Sequence, residues 1–149
     1  MFTGPQHTAI VTGANHGIGA ATALALSRRG CAVLCTFLRV TDEPEPGIPA
    51  AYRENRAGGA ERVVDEILAE GGRAVAVEAD LSEPVVPGAL FDTAEARLGP
   101  VDILVNNATG WIPDTFQPRD TDRLGRASHP VTDKTGGFSS VWTRWRPHC

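Results

Sequence analysis

The eight residues Thr12-Gly13-Ala14-Asn15-His16-Gly17-Ile18-Gly19 constrain this chain more than any other stretch. They sit between a short apolar run, Thr8–Val11, and a helical segment, Ile18–Arg29, with Gly30 as its stop signal. A glycine at position 13 can take the positive φ of a tight turn. A glycine at 17 lets the backbone come close to a phosphate, and one at 19 lets the helix pack tightly on the strand. The helix that opens there offers free N–H groups and the positive end of its dipole to a pyrophosphate. A lone glycine triplet carries little information. This one follows a strand, opens a helix and starts a strand-helix-strand unit, which is the context that gives it meaning.

The alternation continues along the chain. Ala32–Phe37 reads as a second strand, Gly58–Glu70 as a helix stopped by Gly71-Gly72, and Arg73–Glu78 as a third strand. Gly88–Leu98 reads as another helix, ended by Gly99-Pro100, and Val101–Val105 as a fourth strand. In the first helix Ile18, Thr22, Ala25 and Leu26 fall near one face. Strands that are apolar throughout fit a parallel sheet covered on both faces, so the fold class is α/β. Residues 41–56, with Pro44, Pro46 and Pro49 among many charges, read as a surface insertion. From Ile112 onward periodicity is lost. The expected organisation is therefore a nucleotide-binding half-domain over residues 1–112 and an irregular tail over 113–149.

Composition narrows the function classes. The 149 residues carry a formal net charge of −4, which argues against a nucleic-acid partner. No apolar run reaches the ~18–20 residues of a membrane span. The N-terminus has no basic stretch before an apolar core, so no signal peptide is expected and a cytoplasmic setting follows. Three cysteines, Cys31, Cys35 and Cys149, do not make a disulfide framework. Cys31 and Cys35 would lie roughly 13 Å apart along a strand, too far to bridge. His129, His148 and Cys149 lack ligand spacing, so no metal site is expected. The Trp142–Arg146 stretch interleaves aromatics and bases, but it is too short for a single-strand platform.

With its TGxxxGIG turn at Thr12–Gly19, the chain resembles the short-chain dehydrogenase/reductase family. Two further landmarks follow in order. Asp80-Leu81 stands at the end of the third strand, and Asn106-Asn107-Ala108 ends the fourth. There the family has an NNAG motif; here Thr109 replaces its glycine. The resemblance covers roughly residues 5–118. It implies the first half of a doubly wound, Rossmann-like sheet, with strand order 3-2-1-4, and a nicotinamide dinucleotide as cofactor. Gly13, Gly17 and Gly19 would shape the turn, with Ile18 donating its backbone N–H to phosphate. Asn15, His16 and Arg39 would flank the adenosine ribose. Asp80 and Leu81 would hold adenine, and Asn107 and Ala108 would lie beneath the nicotinamide ribose. The second strand ends in Thr36-Phe37-Leu38-Arg39 without the acid that takes a ribose 2′-hydroxyl. Arg39 suits a 2′-phosphate, and His16 occupies a place where NADP-dependent relatives often carry a base. NADP is favoured over NAD.

The family's chemistry uses a Ser and a Tyr-x-x-x-Lys, in which the lysine lowers the tyrosine's pKa. The single tyrosine, Tyr52, is followed four places on by Arg56, and the single lysine, Lys134, has no tyrosine four places before it. No catalytic residue is assigned. By resemblance the parent protein is an oxidoreductase moving hydride between NADP(H) and an alcohol or carbonyl compound, and is usually homo-oligomeric. This chain is expected to be catalytically incomplete, the alternative being a non-catalytic nucleotide-binding fragment. Regrouping the codons of Val141–Cys149 by one base gives an apolar-Asp-small-apolar-Ala-small-small-Leu string that resembles the family's next helix. The tail is therefore expected to be out of frame from about residue 133.

Overall fold

The computed structural model describes residues 7–41, 43–44 and 47–109. The irregular segment expected over 113–149, its change of frame and the residues named in it lie outside this range. Four strands and four helices follow in the order β1 Thr8–Thr12, α1 Gly17–Ser27, β2 Ala32–Phe37, α2 Ala50–Ala57, α3 Glu61–Ala69, β3 Ala74–Glu78, α4 Val86–Arg97 and β4 Val101–Val105, two helices joining β2 to β3. All strand pairs are parallel and the sheet order is β3-β2-β1-β4, as expected.

Burial explains why the two middle strands are apolar throughout. Every residue of β1 and β2 is buried. Successive side chains point to opposite faces. Val11, Val33, Cys35 and Phe37 pack with Ala20 and Ala23 of α1 and Val63 and Ile67 of α3. Ile10, Ala32 and Leu34 pack on the other face with Leu90, Phe91, Ala94 and Leu98, in and just after α4. A β1 or β2 residue of either parity thus meets a helix layer. β3 and β4 are less completely buried.

The structure adds two details. The stretch 41–56, expected as a surface insertion, carries a helix near its end, because Ala50–Ala57 forms α2, with none of its residues buried. The three prolines all precede this helix. Pro49 is its N-cap, with φ −59° and ψ 141°, and AAYRENRA behind it is rich in strong helix formers. Gly58 then caps α2, and α3 begins only at Glu61. The second detail concerns α1. Ile18, Thr22, Ala25 and Leu26 line one shallow depression on the surface with Ala21 and Arg29; Ile18 is 79% exposed, while Leu26 is partly buried against the core. The buried residues of α1 are Gly19, Ala20, Ala23 and Ser27, with Leu24 and Leu26 packed partly against the same core. The small size of the buried four lets the helix approach β1 and β2 closely.

Candidate nucleotide-binding site

Because the strands run parallel, all four carboxyl ends lie on one edge of the sheet. Ligands of open α/β sheets bind outside that edge. Here it carries the glycine turn after β1, Arg39 after β2, Asp80 after β3 and Asn106–Ala108 after β4.

The turn is built as its glycines require. Gly13 and Gly17 have φ of +64° and +56°, values an L side chain rarely adopts. At Gly19 an added Cβ would lie 2.1 Å from the Gly13 carbonyl oxygen and 2.6 Å from Asn107 Nδ2. Gly19 thus packs α1 against the turn itself rather than against the strand. At Gly17, by contrast, a Cβ would meet nothing within 4 Å, so the backbone there faces open space. α1 has no acidic residue in its first turn, and His16, its N-cap, makes no side-chain cap. The helix terminus therefore keeps its positive character toward that space, the donor chemistry a pyrophosphate needs. On this observation the turn fits the phosphates of a dinucleotide.

Asn107 braces the turn from β4. Its Nδ2 donates to the carbonyl oxygens of Thr12 and Gly13, each at 3.1 Å. The Thr12 hydroxyl accepts the backbone N–H groups of Asn107 and Ala108, each at 2.9 Å, and donates to the Val105 carbonyl at 3.3 Å. Thr12 carries no binding role in the motif itself. Its signal in the sequence is a hydroxyl residue ending an otherwise apolar strand immediately before the first glycine. Beside it, Asn106 Oδ1 and Nδ2 and the Thr36 hydroxyl are buried without a partner among the described residues.

The residues expected around the adenosine fall into separate contacts. Asn15 Nδ2 donates to the carbonyls of Gly58 and Asn55 at 3.0 and 3.3 Å, tying the turn to the α2–α3 connection. His16 meets Tyr52 of α2 edge-on, with ring centroids 6.2 Å apart, and Arg56 lies 5.8 Å from the Tyr52 ring centre. Asp80 accepts the backbone N–H and hydroxyl of Ser82 at 2.9 and 2.7 Å. Those bonds, the side-chain one foremost, hold its carboxyl below the usual range. The Leu81 side chain is partly buried against the Ile10–Leu34–Leu90 cluster.

Arg39 is not a free strand-end charge. It pairs with Glu78, the last residue of β3, and with Glu61, the first of α3, and its guanidinium lies over the Phe37 ring. No local pattern marks either glutamate as its partner, since they stand 39 and 22 residues away. Among the described residues no group of three or more His, Cys, Asp or Glu could hold a metal ion. Nor is any helix there long and apolar enough to cross a membrane.

A parallel sheet in this order, with a glycine turn at the carboxyl end of β1, defines a Rossmann-like nucleotide-binding fold. Comparison narrows the class. A family profile described as short chain dehydrogenase matches residues 7–127, and the chain belongs to that family. An uncharacterized oxidoreductase of Methylorubrum extorquens is 41% identical over 100 residues, which cover 67% of this chain and 34% of that protein. A 7alpha-hydroxysteroid dehydrogenase of Escherichia coli is 37% identical over 108 residues, covering 72% of this chain and 36% of the relative. Among solved structures, a blue fluorescent protein from a metagenomic library, in complex with NADPH, is similar with a TM-score of 0.55 and 33% identity. That match covers 71% of this chain and 37% of the other. The chain spans little more than a third of the length of these relatives.

Proposed function

We propose that this chain provides the nicotinamide-dinucleotide-binding part of an oxidoreductase that interconverts a small alcohol and its carbonyl compound, with NADP the favoured nucleotide. The observation that carries the reading is the turn over Gly13–Gly19. Two of its glycines take positive φ, the third admits no side chain, and an uncapped helix terminus opens toward space.

Each residue has a task in this reading. Gly13, Gly17 and Gly19 hold the backbone where the Ile18 N–H can donate to a phosphate oxygen. Asn15 anchors the turn to the α2–α3 connection, and His16 and Arg39 border the adenosine ribose. Asp80 and Leu81 border adenine. Asn107 and Ala108 form the floor under the nicotinamide ribose, with Asn107 fixed through Thr12 and Gly13. When bound, the nicotinamide supplies hydride transfer at its C4. The preference for NADP is supported by a guanidinium beyond β2 in a place where an acid would suit the ribose 2′-hydroxyl. The NADPH bound to the blue fluorescent protein is consistent with it.

Residues 1–149 contain no Tyr-x-x-x-Lys. This favours a second reading in which the chain on its own binds nucleotide without turning it over. A cytoplasmic location, an alcohol or carbonyl substrate and homo-oligomeric assembly belong to the same proposal and rest on the family resemblance. Calorimetric titration tests the binding part. NADP should bind the 149-residue chain, and Gly17→Val should abolish binding by filling the space the phosphates need. Equal binding by both proteins would refute the site. NADPH oxidation over a panel of ketones tests the rest: no turnover above buffer is expected, and turnover that survives Tyr52→Phe would refute it.

A further inference from the structure

We infer that Glu61 and Glu78 are specificity-determining residues, which hold Arg39 away from a 2′-phosphate and so shift nucleotide preference toward the unphosphorylated ribose. The inference rests on the reading that this edge binds a nicotinamide dinucleotide.

Both ends of the Arg39 fork are engaged. Nη2 donates to Glu61 Oε1 at 2.6 Å, and Nη1 donates to Glu78 Oε2. The Arg39 backbone N–H donates to the other Glu78 oxygen at 3.1 Å. The guanidinium carbon sits 4.9 Å from the Phe37 ring centroid, so the planar group is seated as well as paired. Gly59 makes room for the arrangement. A Cβ there would lie 1.9 Å from Glu61 Oε2 and 2.5 Å from Arg39 Nη2. Glu61 is held below the usual carboxylate range, by its own backbone hydrogen bond first and by Arg39 after it, and so stays charged.

The charges decide the consequence. One guanidinium and two carboxylates leave this corner net negative. A 2′-phosphate arrives with a charge near −2. It must draw Arg39 from both partners and then sit beside two carboxylates. A ribose 2′-hydroxyl brings no charge and can donate to a carboxylate. The arginine that reads as an NADP determinant is thus opposed by acids that come from two other elements. All three side chains are 40–58% exposed, so solvent weakens each pair and the effect is several-fold rather than thousand-fold.

The test is calorimetric affinity for NADP and for NAD, measured on the full 149-residue chain. Glu61→Gln and Glu78→Gln should each raise the NADP-to-NAD affinity ratio about twofold to threefold, and the double variant about fivefold to tenfold. In an Arg39→Ala background the same substitutions should lose most of that gain, because no guanidinium remains to be released. An equal gain without Arg39 would show only a background field and overturn the inference. An unmoved ratio, in variants whose melts match the wild type and which bind both nucleotides, overturns the inference and leaves the cofactor reading standing. A wild-type chain that binds neither nucleotide overturns both.

Discussion

Thr12 and Asn107 hold each other across the β1–β4 pair. The Asn107 amide donates to the Thr12 carbonyl at 3.1 Å, and the Thr12 hydroxyl accepts the Asn107 backbone N–H at 2.9 Å. The same hydroxyl accepts the Ala108 N–H, and the same amide donates to the Gly13 carbonyl. The glycine turn is therefore fastened to the end of β4 by reciprocal bonds through two side chains. Thr12→Val keeps the shape and removes the acceptor, leaving two part-buried N–H groups unpaired. The expected cost is about 2 kcal/mol, read as a lower denaturation midpoint, with Thr12→Ser recovering most of it. Equal midpoints for wild type and Thr12→Val would show that water replaces the hydroxyl and that the brace is not structural.

Gly17 and Gly19 should fail differently. Gly19→Ala places a methyl 2.1 Å from a backbone oxygen, which nothing nearby can yield to cheaply. About 1–3 kcal/mol of stability should be lost with the turn displaced. Gly17→Ala meets open space and bears only the strain of its positive φ, about 1–2 kcal/mol. Its main defect should appear in nucleotide binding. Thermal melts beside binding isotherms separate the two. A Gly17→Ala protein that melts lower than Gly19→Ala, yet binds like wild type, contradicts this assignment.

What could be read from the sequence follows from the range of the interactions involved. The parallel strands were legible because burial on both faces demands unbroken apolar runs such as Ala32–Phe37, and the turn because its glycines are a local backbone requirement. Which face of α1 packs is not legible from large apolar residues, because Gly19, Ala20 and Ala23 are what permit close approach. α2 was hidden behind Pro44, Pro46 and Pro49, whose breaking effect acts on what precedes them and not on AAYRENRA. The partners of Arg39 were out of reach, since no local pattern links position 39 to 61 and 78.

Arg39→Ala tests the favoured nucleotide. Because Glu61 and Glu78 engage the exposed guanidinium, its contact to a 2′-phosphate is weaker than that of a free charge, and NADP affinity should fall about threefold to tenfold. NAD affinity should change less than about threefold, since exposed charges contribute little to a neutral ribose. The NADP loss should shrink as salt is raised, because the group is half-exposed and screened. Equal losses for both nucleotides at low salt would remove the 2′-phosphate contact from the argument.

The last expectation concerns alkaline pH. Cys31 and Cys35 are buried free thiols. Burial pushes Cys31 up, helped by Asp102, and pushes Cys35 from 9.0 up to about 12. A raised folded-state value means the native chain keeps its proton where the unfolded chain releases it. The stability tied to Cys35 is thus fully present below about pH 9 and is lost as pH climbs toward 12. Over that window each pH unit removes about 1.4 kcal/mol per such proton. Urea melts between pH 8 and 10.5 should show wild type losing stability faster than Cys35→Ala, whose alanine has no proton to lose. The alanine variant should start lower at pH 8 because a small cavity replaces the sulfur. Alkylation of native protein should spare Cys35 at pH 8 and label it once urea unfolds the chain, read by peptide mapping. If both proteins decline in parallel with pH, some other group titrates; if native Cys35 alkylates readily, β2 is not buried as described.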